Sequence, residues 1–229
     1  GGMYNLNSSP TVNNVTFSIN STVFTGGAGM YNSNSHPTLT NVTFADNNAY
    51  TGMGGGLLNA GGSHPTLTNV TFSANGSGGY GGGMANTGGS NPTLVNVTFN
   101  ANKSMYGGGM YNLNSSPTLS NVTFSSNTPY SFSCDGGGMY NDASSPVLTD
   151  VTFLNNSTLP NGYGGGGMYN SNGSAPTLTR VIFSGNTTSE WGGGMVNDAS
   201  NPTLVDVIFS GNSAGLGGGK SRNCRQKET

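Results

Sequence analysis

The sequence predicts an all-β protein, folded as a parallel β-solenoid of about eight coils of 25–30 residues. The first observation behind this prediction is a repeat of that length, which runs through nearly the whole chain. The second is that each repeat contains a segment rich in β-branched and aromatic residues, which favour strands. The third is that Gly, Asn, Ser and Thr make up more than half of the 229 residues and leave no ten-residue stretch suited to a helix.

Each repeat reads GGGMYN, a turn, PTLTNVTFSxN and a loop of variable length. A proline opens its second half, at Pro10, Pro37, Pro65, Pro92, Pro117, Pro146, Pro176 and Pro202. A phenylalanine follows seven residues later, at Phe17, Phe44, Phe72, Phe99, Phe124, Phe153, Phe183 and Phe209. An asparagine stands two residues after the apolar anchor of each glycine run, at Asn5, Asn32, Asn59, Asn86, Asn112, Asn141, Asn170 and Asn197. A further asparagine stands three residues after each phenylalanine.

The repeat predicts one coil per unit, with two or three short strands that pair in parallel with the next coil, about 4.8 Å away. One unit offers only about four core side chains, such as Met110, Leu119 and Phe124, to order some 27 residues. No coil can therefore fold alone, and stacking must supply the missing stability. We expect the asparagines and phenylalanines to form ladders along the stack, with amide hydrogen bonds from coil to coil.

The GGGM and FSxN segments resemble the paired GGA[ILV] and FxxN repeats of chlamydial polymorphic outer-membrane proteins. More broadly, the chain resembles the right-handed parallel β-helix repeats of the pectin-lyase-like superfamily. The resemblance covers about residues 1–219 and implies a single right-handed parallel β-helix over that range. The superfamily includes adhesins, autotransporter passengers, phage tailspikes and polysaccharide lyases, so the resemblance implies a fold more narrowly than a function.

A leucine-rich repeat is the alternative solenoid. Leu39, Val42, Phe44 and Asn47 have the LxxLxLxxN spacing of that class, and 27 residues is a permitted repeat length. Leucine-rich repeats also need apolar residues on their convex side, where this chain has Gly, Ser and Asn. We therefore favour the β-helix.

Charge is sparse, with 6 basic and 8 acidic residues and a net charge of −2. Four of the six cations stand in the last ten residues, at Lys220, Arg222, Arg225 and Lys227. We interpret residues 220–229 as a charged, disordered tail and expect no nucleic-acid surface, cofactor or metal site. No apolar run is long enough to span a membrane. The segment Ala214–Ser221 fits a relaxed Walker A pattern, but we interpret its glycines as one more occurrence of the repeat.

The two cysteines, Cys134 and Cys224, stand in a variable loop and in the tail. The sequence is compatible with a disulfide within one chain and equally with a disulfide between two chains. The chain begins inside a repeat with no signal peptide or polar capping repeat, so we expect a mature chain or a fragment with an open end.

One column of the repeat offers a candidate carbohydrate face. The place four residues after each proline holds Asp150, Arg180 and Asp206 in the last three units, where the earlier units have asparagine. Stacked in register, these charges form either part of a polysaccharide-binding or polysaccharide-cleaving site or a solvated ladder of alternating charge. We favour the solvated ladder, because no lysine, histidine or further arginine stands near.

Two rows of aromatic residues are the second candidate. One row follows the core methionine and is expected to point outward, where its rings could stack against sugar rings or against each other. Its members are Tyr4, Tyr31, Tyr111, Tyr140 and Tyr169, and we take Tyr111, Tyr140 and Tyr169 as the candidate site residues. Another row, Tyr80, Tyr106, Tyr163 and Trp191, directly precedes glycine runs. We favour a structural role for both rows.

Threonine pairs provide a third candidate, an ice-binding face. Thr-x-Thr stands at Thr38/Thr40, Thr66/Thr68 and Thr177/Thr179, but Val95, Val147 and Val205 interrupt the rows. The Asn-Val-Thr triplets also match the acceptor pattern for N-glycans. Five glycans could hardly fit on five adjacent coils, so we attribute these triplets to composition.

Together these features predict a non-catalytic structural or adhesive β-solenoid, outside the cell or on its surface. Its partners would be further copies stacked on the open ends, forming fibres, or glycans. A carbohydrate-binding or carbohydrate-cleaving β-helix is the second hypothesis, and ice binding is the third.

Overall fold

A computed structural model describes residues 1–130 and 135–216, and these form eight stacked coils of parallel strands. The coils span residues 3–29, 30–56, 57–83, 84–109, 110–138, 139–167, 168–194 and 195–216. We number them coil 1 to coil 8. The described residues contain strands, turns and bends but no helix, and therefore no helix that could cross a membrane. The predicted all-β parallel solenoid of about eight coils is confirmed.

Sheet 1 contains one strand from each coil, formed by the MYN segment after the glycine run. Its strands are Met3–Leu6, Met30–Ser33, Leu57–Ala60, Met84–Thr87, Met110–Leu113, Met139–Asp142, Met168–Ser171 and Met195–Asn197. Side chains alternate between the two faces of a strand. The methionine and the asparagine therefore point into the solenoid, and the residue between them points out.

Sheet 2 is formed by the PTLTNVTF segment and has 13 strands. In coils 3 to 5 this segment is one strand, at Thr66–Ser73, Thr93–Asn100 and Thr118–Ser125. In the other coils a bend divides it. The first parts are Thr11–Asn13, Thr38–Thr40, Val147–Thr149, Thr177–Thr179 and Thr203–Val205. The second parts are Thr16–Ser18, Thr43–Ala45, Thr152–Leu154, Ile182–Ser184 and Ile208–Ser210.

Sheet 3 closes each coil with strands of only two residues. Five strands pair in order, at Ser21–Thr22, Asn48–Ala49, Gly76–Ser77, Lys103–Ser104 and Thr128–Pro129. A separate pair joins Thr187–Thr188 to Ser213–Ala214. In coil 6 only Ser157 makes a bridge, because the loop that follows differs in length.

The core is a set of straight columns, since parallel pairing places equal repeat positions on top of one another. Phe72 aligns with Phe99, and Leu67 aligns with Leu94, and all four side chains are fully buried. The phenylalanine rings stack from Phe17 to Phe209 with centroids 4.7–5.0 Å apart. The glycine before each anchor leaves room for the ring. A Cβ on Gly83, for example, would lie 2.8 Å from Cδ1 of Phe99.

Polar ladders accompany the apolar columns. In sheet 1 each asparagine donates from Nδ2 to Oδ1 of its counterpart in the next coil, 2.8 Å away in all seven steps from Asn5 to Asn197. The asparagines after the phenylalanines form a second ladder. The predicted asparagine ladder is confirmed. A serine ladder was not predicted: in the turn before the proline, the N–H of Ser63 donates to Oγ of Ser90 one coil along, and this pattern repeats.

Several sequence-based predictions lie outside the described residues. These are the disulfide state of Cys134 and Cys224, the disorder of residues 220–229, and residues 217–221 of the Walker-like segment. The predicted domain limit at residue 219 also lies there. The described coils run in register as far as Ala214.

Candidate functional site

The column that contains Asp150, Arg180 and Asp206 is the bend within sheet 2. All eight members have φ of 52–56°, the left-handed region in which asparagine and aspartate are better tolerated than most residues. The members are Asn14, Asn41, Asn69, Asn96, Asn121, Asp150, Arg180 and Asp206. The asparagine side chains also bond to one another, as from Nδ2 of Asn41 to Oδ1 of Asn14 at 3.1 Å. The composition of this column therefore follows from backbone geometry.

Within this column, Asp150 and Arg180 form an exposed bidentate ion pair. Nε of Arg180 donates to Oδ1 of Asp150 at 2.7 Å, and its terminal Nη2 donates to Oδ2 at 2.8 Å. These hydrogen bonds lower the pKa of Asp150 and raise the pKa of Arg180. Both side chains are about half exposed, so the pair contributes little to stability.

The tyrosines lie on the outer face of sheet 1 and not on the bend. Tyr111 aligns with Tyr140 and Tyr140 with Tyr169, as the repeat predicts. The structure nevertheless covers this row instead of exposing it, since Tyr111 and Tyr169 are 4 % and 3 % exposed. The cause is the second aromatic row, which folds over the first: Tyr80 packs on Tyr111 with ring centroids 4.6 Å apart. The six predicted residues thus form two separate groups.

A cleft lies where the two aromatic rows meet, and its volume is about 190 Å³. It is lined by Tyr80, Tyr106, Tyr111, Asp135, Tyr140, Asp142, Tyr163 and Tyr169. Asp150, Arg180 and Asp206 do not line it. A larger cavity of about 410 Å³ lies beside coil 1, but no charged side chain lines it. The cleft is therefore the better candidate site, because polar and charged groups converge there.

The cleft opens where the outer aromatic row is interrupted. Backbone hydrogen bonds give the register: Gly81 N–H donates to the carbonyl of Tyr106, Gly107 N–H to that of Asp135, and Gly136 N–H to that of Gly164. The column thus reads Tyr80, Tyr106, Asp135, Gly164 and Trp191. A short acidic residue and a glycine replace two aromatic residues in adjacent coils, and this leaves a gap above the inner row.

Asp135 is the most deeply buried carboxylate of the described chain, at 3 % exposure. Its Oδ1 accepts hydrogen bonds from the backbone N–H groups of Tyr163 and Gly164. Burial and, to a smaller extent, the nearby Glu190 raise the pKa of Asp135 from 3.8 to about 6, while the two backbone hydrogen bonds oppose this change. Near neutral pH the cleft therefore holds a buried negative charge.

The phenols of Tyr111 and Tyr140 stay protonated. Burial raises the pKa of both Tyr111 and Tyr140, and the nearby carboxylate of Asp142 adds to the effect. Asp142 stands two residues after Tyr140 on the same face of sheet 1 and accepts a hydrogen bond from Nδ2 of Asn172 at 2.6 Å. The cleft thus combines aromatic rings, neutral hydroxyls and two carboxylates.

Asp135 was not predicted from the sequence as a site residue. The available signal was that Asp135 immediately precedes a glycine run, as Tyr80 and Tyr106 do. The variable loops hid this equivalence, because counting from the proline does not align them. No group of three or more His, Cys, Asp or Glu side chains that could hold a metal ion occurs among residues 1–130 and 135–216.

The threonine rows lie on the outer face of sheet 2, and their register includes the valines. Thr68 aligns with Val95, and Thr118 with Val147. Thr179 aligns with Val205 in coil 8, so the outward hydroxyl array is interrupted both within the stack and at its edge.

Comparison with known proteins agrees with this architecture. A family model described as "Right handed beta helix region" matches residues 2–157. No curated protein and no solved structure matches the chain significantly. The matched region covers coils 1 to 5 and most of coil 6, and the remaining coils continue the same register. The chain therefore belongs to the right-handed β-helix family.

Proposed function

We propose that this chain is a non-catalytic structural β-solenoid, outside the cell or on its surface, whose end coils stack head to tail on other copies to form fibres. The observation that carries the proposal is that the asparagine ladder of sheet 1 has one open acceptor end and one open donor end among the described residues. Nδ2 of Asn5 donates toward coil 2, and this direction is kept up to Asn197. Among the described residues, Oδ1 of Asn5 receives no donor and Nδ2 of Asn197 reaches no acceptor. A second copy stacked on coil 8 would join them.

The apolar columns support the same contact. The rings at the two ends of the phenylalanine stack, Phe17 and Phe209, each have one uncovered face, whereas the six rings between them are fully buried. In coil 8, Leu204 and Phe209 are 45 % and 49 % exposed. Apolar area of this kind is usually buried in an interface. Stacking Phe209 on Phe17 of the next copy would repeat the contact already made seven times within the chain.

The sparse charge supports a structural role over a catalytic one. Asp150 and Arg180 are exposed and bind each other. Neither residue lines either of the two cavities described above. The shared composition of the coils is explained by stacking, bending and close approach of backbones.

The test compares the chain with two end variants by sedimentation velocity and electron microscopy at neutral pH. Phe209→Arg places a charge in the interface at coil 8, and Phe17→Arg does so at coil 1. We expect the unaltered chain to form filaments with an eight-coil repeat, and each variant alone to stay monomeric. A mixture of the two variants should form a dimer and stop, because each retains one intact end.

Ile182→Arg is the matched control, since Ile182 is 38 % exposed on the lateral face of sheet 2. It should assemble like the unaltered chain, and circular dichroism should show all variants folded. A chain that stays monomeric at every concentration contradicts the proposal, as does assembly by Phe209→Arg. If only removal of residues 217–229 allowed assembly, those residues would be the occupant of the coil 8 end, and the proposal would also be wrong.

A further inference from the structure

The cleft between the tyrosine rows has a composition that stacking alone does not require. Six tyrosines and two aspartates surround about 190 Å³, a space equal to roughly six water molecules. In the other coils of sheet 1 the same outward position holds Tyr4 and Tyr31, which lie away from the cleft, and then Leu58, Ala85 and Val196. The three consecutive tyrosines therefore coincide with the coils where the outer row is interrupted by Asp135.

The charged side chains at the cleft are all acidic. Asp135 is almost fully buried, and the charged neighbour that acts on it is another acid, Glu190. Asp142 adds a second carboxylate at the rim. Within residues 1–130 and 135–216, no lysine, arginine or histidine lines the cleft, and the ion pair Asp150–Arg180 lies at the bend of sheet 2. A buried carboxylate without a cationic partner is costly unless a ligand neutralises it.

The rings supply a second attraction for positive charge. Tyr140 is central: its ring lies 5.0 Å from Tyr169 and 5.5 Å from Tyr111, and Tyr106 meets it edge-on at 5.5 Å with an interplanar angle of 77°. The faces of aromatic rings carry negative potential and attract cations, quaternary ammonium groups above all. The walls of the cleft are thus aromatic and its charge is negative.

We propose that this cleft binds a small organic cation with a quaternary ammonium group, held by the tyrosine rings and neutralised by Asp135 and Asp142. A hydrated metal ion fits less well, because Ca²⁺ takes six to eight oxygen ligands and two carboxylates supply too few. An alkylated ammonium is weakly hydrated and carries its charge on methyl groups that pack against rings. The proposal is independent of end-to-end assembly, since the cleft lies between coils 3 and 7.

The first experiment measures binding of choline to the intact chain by calorimetry or NMR. Its neutral isostere, 3,3-dimethylbutan-1-ol, has the same shape without the charge. We expect saturable binding of choline at one site per chain, and at least about tenfold weaker binding of the isostere. Absence of choline binding, or equal binding of the two compounds, overturns the proposal.

Variants then locate the site. Tyr140→Leu removes the central ring and should weaken choline binding by about tenfold or more, whereas Tyr140→Phe keeps the ring and should bind within about threefold of the unaltered chain. Asp135→Asn keeps an acceptor for the two backbone N–H groups but removes the charge, so it should also weaken binding about tenfold. Tyr50→Leu and Asp206→Asn are controls outside the cleft and should change nothing. Equal effects of Tyr140→Leu and Tyr140→Phe, or unchanged binding in Asp135→Asn, overturn the proposal.

A third experiment distinguishes a free ammonium ion from the headgroup of a phospholipid as the ligand. Phosphocholine carries the same cation beside a phosphate, which the two carboxylates should repel. We expect it to bind more weakly than choline, which identifies the ligand as a free ammonium ion and not a phospholipid headgroup. Tighter binding of phosphocholine, or of a neutral sugar, contradicts the charge argument and overturns the proposal.

Discussion

At the scale of single residues, the backbone determines which side chains the turns accept. Several places in each coil have positive φ, and two of them, the bend of sheet 2 and the residue before the second ladder asparagine, have φ of 52–64°. Asparagine and aspartate meet this requirement, and most occupants of the bend are of these types. Arg180 and Ile19 are exceptions, with φ of 53° and 57°. A β-branched residue in this region is strained.

Ile19→Asn should stabilise the chain by about 1 kcal/mol, because the left-handed region costs most L-residues about 1–2 kcal/mol and asparagine less. Asn155 occupies the same repeat position with φ of 53°, and Ile19 is 81 % exposed, so little packing is lost. Denaturant unfolding and slower hydrogen exchange in residues 3–29 would check this. Ile182→Asn, at a strand position, should instead lower stability, and a gain in both variants would contradict the strain argument.

Asp135 is the residue whose buried charge is expected to favour binding of a cation but to lower the free energy of unfolding of the unliganded chain. Its folded pKa of about 6 lies above the unfolded value of 3.8, so between these values the folded chain holds a proton that the unfolded chain has released. The free energy of unfolding should therefore fall as the pH rises from about 4 to about 6, and level off above. The groups that act on it are Glu190 and the N–H groups of Tyr163 and Gly164.

Asp135→Asn should remove this pH dependence and raise the stability of the unliganded chain at pH 7 by roughly 2–3 kcal/mol. The gain should vanish near pH 4. Urea unfolding at several pH values measures it, with Asp206→Asn as the exposed control. A variant less stable than the unaltered chain at pH 7 would show that Asp135 acts mainly as a structural acceptor.

At the scale of elements, the ladders decide which asparagines are replaceable. Asn102 is fully buried, and its Nδ2 donates to Oδ1 of Asn127 and to the carbonyl of Phe72, both at 3.0 Å. Asn96 belongs to the exposed ladder at the bend, where Asp150 and Asp206 occupy the same position. The same residue type therefore has two different energetic roles within one coil.

Asn102→Asp should destabilise the chain by about 3 kcal/mol or more, because a carboxylate cannot donate and would face two acceptors without water. Asn96→Asp should change stability by less than about 0.5 kcal/mol, since its side chain is exposed. Thermal unfolding at neutral pH compares the two. Similar losses in both variants would mean that the interior ladder has no special energetic role.

At the scale of the whole molecule, each coil contacts mainly its neighbours, so stability should behave as a sum of coils and interfaces. Removing residues 84–109 deletes coil 4 and joins Gly83 to Met110. The core columns then remain continuous, because coils 3 and 5 have the same leucine, valine, phenylalanine and asparagine at their inward positions and Leu57 would meet Met110. The same logic supports the stacking of one chain on another.

The deletion of residues 84–109 should therefore fold with a β-rich circular dichroism spectrum and a cooperative but lower melting temperature. The matched control removes residues 84–96, half a coil, and should fail to fold because sheet 1 segments would meet sheet 2 segments. Failure of both deletions, or folding of both with equal stability, would contradict the description of the chain as a stack of interchangeable coils.

The sequence by itself determined the architecture: the strands, the parallel register, the inward columns and the asparagine ladder. This was possible because a repeat of near-constant length forces equal residues to lie above one another, so one unit predicts the rest. Only the tertiary structure decided where the loops lie, that Tyr111 and Tyr169 are covered, and that Asp135 stands in the outer aromatic column. The loops vary in length and make few ladder contacts, so their position depends on packing against other coils. Those loops form one wall of the cleft against the tyrosines of sheet 1, and for this reason the cleft was not predicted.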